Sequence, residues 1–204
     1  AIAASEATGA LTRVAGGAIT QSGAIDADTT ASFSAGGNAI TLANAGNDFT
    51  GAVSLSNSGS NDVSLTDTNA LDLGTIGVGQ NLTITATGGA LTDSGAITVP
   101  GLATIVSTGQ SVTLGDSTTA NFGSLDFAGA AVTITEGSAM AIAASEATGA
   151  LALVAGGAIT QSGAIDADTT ASFTAGANAI TLTNAGNDFT GAVSLSNSGS
   201  NDVS

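Results

Sequence analysis

Five residue types are missing from this chain: cysteine, histidine, lysine, tryptophan and tyrosine occur nowhere in its 204 residues. Without cysteine there is no disulfide framework, and without cysteine or histidine there is no zinc or transition-metal site of the usual kind. Serine is abundant, but with neither histidine nor lysine it has no activating base, which removes the common nucleophilic hydrolases. The only aromatics are six Phe, a poor supply for stacking sugars along a substrate cleft.

Positive charge is almost as scarce. Arg13 alone stands against sixteen Asp and Glu, for a formal net charge of -15. Nucleic acid and anionic membranes are repelled by such a surface, so neither is expected as a partner. Loosely bound calcium is the one cofactor it invites. No apolar run approaches the ~18 residues of a membrane helix, and the opening "AIAASEATGA" lacks the basic start of a signal peptide. The same stretch recurs at 141–150, which reads as the middle of something.

What is present is glycine, 29 of them, with Ala, Thr, Ser, Val, Ile, Leu, Asn and Asp. That alphabet favours strands and tight turns. An apolar content of 43% and a mean hydropathy of +0.40 are too high for a solvated coil, so a core is expected.

Repetition organises the chain. Residues 1–64 match 141–204 with five differences, Thr12/Ala152, Arg13/Leu153, Ser34/Thr174, Gly37/Ala177 and Ala43/Thr183. The repeat unit is therefore 1–140, and the second copy begins at Ala141. A chain that opens and closes partway through a copy reads as a stretch of a longer array, one continuous unit over 1–204 without separate domains. A weaker echo divides the unit in two. "VAGGAITQSGAI" at 14–25 resembles "TATGGALTDSGAI" at 85–97, and "DVSL" at 62–65 answers "AVTI" at 131–134.

Inside each half, alternating triplets such as Ala31/Phe33, Ile40/Leu42, Val53/Leu55, Leu82/Ile84, Val112/Leu114 and Val132/Ile134 are separated by Gly, Asn, Asp and Ser. Period two marks strands with one buried face. Comparable strands return from Phe33 to Leu55, Leu55 to Ile84, Ile84 to Ile105 and Ile105 to Phe127, intervals that suit three short strands per turn. A repeating unit that cannot bury its own face must stack on the next. The expected fold is all-β, a right-handed parallel β-helix (β-solenoid) with three short strands per rung, about eight full rungs plus partial ends, and six rungs in each repeat unit.

The stretches "NLTITATGGALTDSGAI", "VSLSNSGSNDVSLTDTNALDLGTI" and "ATIVSTGQSVTLGDSTTANFGSLDFAGAAVTIT" resemble the repeat region of filamentous haemagglutinin-like bacterial exoproteins. The resemblance implies a parallel β-helix, a secreted or cell-surface location and a role in adhesion or matrix. Partners are then self-association, end-to-end continuation into a fibre, or a cell-surface or carbohydrate receptor.

Three sets of residues are candidates for a site. One outward position per rung gives a hydroxyl ladder of Thr20, Thr41, Ser64, Thr92, Thr113, Thr133, Thr160, Thr181 and Ser204; such a ladder also supports a rival function, ice or surface binding. "AGNDFTG" supplies half of a calcium-binding turn pattern, with Asn47, Asp48 and the copy's Asp188 as the metal candidates, and also suits a tight corner with Phe49 packed inward. Asp26 and Asp28, repeated as Asp166 and Asp168, form the best carboxylate pair for a polysaccharide-active enzyme. The composition argues against that third reading, and no enzyme is expected.

Overall fold

A computed structural model describes residues 1–116 and 118–204. Among the described residues there is no helix, and every strand pairing is parallel. Strands beginning at Leu11, Ala31, Val53, Leu71, Leu91, Val112, Val132, Leu151, Ala171 and Val193 stack one on the next, giving a parallel β-solenoid of about ten turns.

Period two explains how each strand is used. In Val63–Asp67 and Leu82–Ala86 the odd and even residues face opposite ways, so Val63, Leu65, Leu82 and Ile84 enter the core while Ser64 and Thr83 face out. Like positions then pile up along the axis. Leu42, Leu65, Ile84, Ile105 and Phe127 make one fully buried column. Phe49 packs inward as its position suggested, edge-on to Phe33 with ring centroids 6.1 Å apart.

The turn count per unit differs from expectation. Ile19, Ile40, Val63, Leu82, Ala103, Leu125, Ile142 and Gln161 follow one another in register, so seven turns carry the chain from Ile19 to the strand that holds its copy, Ile159. The unit therefore has seven turns, where the spacing of the triplets had given six. The miscount begins at the step from Leu55 to Ile84, which joins two different columns, since Ile84 stacks on Leu65. Leu55 pairs with Ile76, in a strand, Leu71–Gly77, whose register shifts between Leu73 and Ile76. That irregularity hides the alternation on which the sequence reading depends.

Asparagine side chains close the corners. The Asn38 amide Nδ2 donates to Ala35 O in its own turn and to Gly16 O in the turn before. Asn61 does the same with Ser58 and Gly37, and Asn178 and Asn201 reproduce both arrangements in the second copy. Each corner is thus fastened to its neighbour by a group that a hydrophobic residue does not supply.

Candidate functional site

The outward hydroxyls form three separate ladders where a single one was expected. Thr20, Thr41 and Ser64 are in register, and the column continues through Thr83 and Thr104 to Asp126. Thr92, Thr113 and Thr133 stack on a different face, between Asp72 and Ala152. Thr160 and Thr181 follow Ala141, with Ser204 next after Thr181 by way of single-residue bridges at Ile180 and Val203. One residue per rung was the right rule, but the hidden turn moved the count from Ser64 to Thr92 and skipped Thr83.

The carboxylates stack differently from the Asp26 and Asp28 pairing. Asp26 is in register with Glu6 on one side and Asp48 on the other, so three acids stand in a row along the axis. Glu146, Asp166 and Asp188 repeat the row. Successive members sit about 4.8 Å apart, the spacing of neighbouring strands. Asp28 lies outside this row, in the exposed turn after Ile25–Ala27. Depressions nearby are shallow and open, one lined by Asp126, Ala128, Ala144 and Glu146, another by Thr20, Gln21, Thr41 and Asn44.

Asn47, offered by its sequence as either a calcium ligand or a corner residue, serves as a structural pin. It is fully buried. Its Oδ1 accepts hydrogen bonds from Gln21 Nε2 (2.7 Å) and Ile25 N–H (3.0 Å), which occupies both lone pairs. Its Nδ2 lies 3.1 Å from Gln21 Oε1 and 3.0 Å from both Leu42 O and Thr66 O. One side chain thereby joins three consecutive turns and has no oxygen to offer a cation. Asn187 holds the corresponding bonds to Gln161, Ile165 and Leu182 in the copy. Asp48 accepts from Asn69 Nδ2 at 2.5 Å, and among the described residues no group of three or more acids converges to hold a metal ion.

The echo between "TQSGAI" and "TDSGAI" also has a structural meaning. Where Gln21 reaches up to Asn47, Asp93 reaches up to the next corner, accepting from Gly115 N–H (2.8 Å) and the Thr118 hydroxyl (2.5 Å). Asn81 is engaged in the same manner, its Oδ1 accepting Leu102 N–H at 2.9 Å.

Besides Asp93, two more buried acids escaped the sequence reading. Asp67 and Glu136 end the strands Val63–Asp67 and Val132–Glu136 on the inward phase, and are 0% and 1% exposed. Burial pushes the carboxyls of both above the ordinary range; at Asp67 the Phe49, Asn69 and Thr68 N–H groups oppose this and the charge of Asp48 adds to it, while at Glu136 the Phe122 N–H and the Ser138 hydroxyl oppose it. Burial raises the carboxyl of Asp126 as well. The signal was available: period two assigns position 67 to the face of Val63 and Leu65.

A family model described as "Repeats of unknown function (DUF5649)" matches residues 1–56, 60–126 and 129–196, which together take in nearly the whole chain. No curated protein and no solved structure matches it.

Proposed function

The chain belongs to this family of repeats, and from that premise we propose that it is a structural and adhesive segment of an extracellular fibre or cell-surface adhesin, of the filamentous haemagglutinin-like kind. The observation that carries this reading is the unbroken stacking: residues 1–64 and their copy at 141–204 sit seven turns apart on one continuous set of ladders. Axial ladder bonds resist extension, and a net charge of -15 keeps rods from collapsing on one another in solution. The exposed hydroxyl and carboxylate rows are then the surfaces offered to a cell-surface or carbohydrate receptor, with calcium held only diffusely. No catalysis is included, since the chain lacks His, Lys and Cys.

Electron microscopy of the native material tests the reading. The expected object is a thin surface filament with an axial repeat of about 34 Å, which is seven turns at about 4.8 Å each. A compact globular particle overturns it.

One observation favours a second reading, ice or surface binding. Thr20, Thr41, Ser64, Thr83 and Thr104 form an in-register hydroxyl column, with Thr66 and Thr85 beginning a second column beside it. On the leading reading, micromolar protein gives no thermal hysteresis. Activity that is present and then lost in Thr41→Tyr and Thr83→Tyr would replace the leading reading with this one.

A further inference from the structure

Three carboxyl groups stand where an inward-facing strand position calls for an aliphatic side chain, and while Asp93 has both oxygens hydrogen-bonded, by Gly115 N–H and the Thr118 hydroxyl, Asp67 and Glu136 do not. Asp67 follows Val63 and Leu65 on the core side of its strand, and Glu136 follows Val132 and Ile134. They close the echoing strands "DVSLTD" and "AVTITE", so one falls in each half of the repeat unit.

Both use one oxygen and leave the other idle. Asp67 Oδ1 accepts Phe49 N–H at 2.9 Å, and Glu136 Oε1 accepts Phe122 N–H at 3.0 Å and the Ser138 hydroxyl at 2.8 Å. Asp67 Oδ2 and Glu136 Oε2 are buried without a hydrogen-bond partner. Their in-register neighbours are small and apolar, Ala86 for Asp67 and Ala120 and Ala155 for Glu136.

No cation is at hand, because the only basic side chain is Arg13, exposed on a strand two turns before that of Asp67 and farther still from Glu136. The titratable groups around Asp67 are Asp48 on the turn before, Asp62 just ahead of its own strand and Asp72 on the strand that follows. The strands Ile40–Leu42 and Leu82–Ala86 packed against it carry none. Around Glu136 the packed strands contribute only Asp126, on an outward position, and Asp116 lies exposed in the corner after Val112–Leu114. Every one of these is an acid. An ionised carboxyl here has an idle charged oxygen and like-charged neighbours; a neutral one has only an idle hydroxyl, a much smaller loss.

We propose that Asp67 and Glu136 are held in the core as neutral acids and together form a proton-dependent latch, which loosens the solenoid when the pH rises far enough to ionise them. The latch is independent of how the outer faces are used.

Chemical denaturation of the full chain as a function of pH tests the latch, together with carboxyl 13C resonances. Above the ordinary carboxylate range, the unfolding equilibrium constant should climb by up to about tenfold per pH unit for each ionising acid. Asp67→Asn and Glu136→Gln keep the acceptor for the Phe N–H and cannot ionise, so the double variant should lose most of that climb, with only the share of Asp126 left, whereas Asp28→Asn, at an exposed acid, should retain it. A double variant with the slope of the parent overturns the proposal. So do Asp67 and Glu136 resonances that titrate together with the exposed acids, an observation that needs only the unsubstituted chain.

Discussion

Asn47 shows how much of this fold rests on single polar side chains. Its amide reaches one turn down to Gln21 and Ile25, across its own turn to Leu42, and one turn up to Thr66. Asn47→Ala leaves a buried Ile25 N–H and two carbonyls unpaired. A loss of at least about 2 kcal/mol in unfolding free energy is expected, measured by urea titration. The five differences between the copies fall where such demands are absent. Thr12/Ala152, Ser34/Thr174 and Ala43/Thr183 occupy outward positions. Arg13/Leu153 is the exception in kind: Leu153 is buried in the column between Ile134 and Phe173, while Arg13 stands exposed beside Phe33.

Corners discriminate between glycines that look alike in sequence. A Cβ on Gly37 would meet nothing within 4 Å, which is why Ala177 replaces it in the copy, whereas Gly36 and Gly176 keep positive φ values of 54° and 53°. Gly115 is the opposite case, with φ of 71° and a Cβ position 1.9 Å from Thr135 O. Gly37→Ala should leave the thermal midpoint unchanged. Gly115→Ala should cost at least about 1–2 kcal/mol from the left-handed backbone alone, before the clash is relieved.

Strands were the most legible elements. Three of the four return pairs read from the sequence, Phe33–Leu55, Ile84–Ile105 and Ile105–Phe127, are paired in the ladders. The fourth failed because Leu71–Gly77 changes register at Gly74 and Thr75, which places Leu73 and Ile76 out of step by one residue. A single hidden turn then displaced the hydroxyl ladder, since every later assignment depends on counting turns. The acid rows were invisible for a related reason: the near-equal steps from Glu6 to Asp26 and from Asp26 to Asp48 mean nothing until the turn length is known. Asn47 stood open between a ligand and a corner residue because Asn beside Asp and Gly serves a cation loop and a packed corner equally well, and only burial separates the two.

Over the whole molecule, the buried and exposed acids push stability the same way. Asp67 and Glu136 bind protons more tightly folded than unfolded, so their contribution is complete below the ordinary carboxylate range and is lost as the pH rises through their raised values. Mutual repulsion among the exposed acids also grows over the first part of that rise. Salt separates the two effects, because it screens surface charge and leaves the core untouched. The part of the pH slope that survives high salt belongs to the acids whose carboxyls burial raises, Asp67 and Glu136 with a share from Asp126.

The whole number of turns in each unit has a geometric consequence. Had the unit ended on a fraction of a turn, its copies would face in different directions. Instead, Asn47 and Phe49, on either side of Asp48, are bonded to Thr66 and Asp67 of the next turn, and the column from Thr66 through Thr85, Val106 and Ala128 returns to Glu146. Both acid rows therefore look out from the same side of the rod, about 34 Å apart. A partner that touches one row weakly meets the other without turning or crossing to another face. Its second contact forms within the same complex, at a local concentration set by that fixed interval, and avidity grows by adding copies with no residue altered.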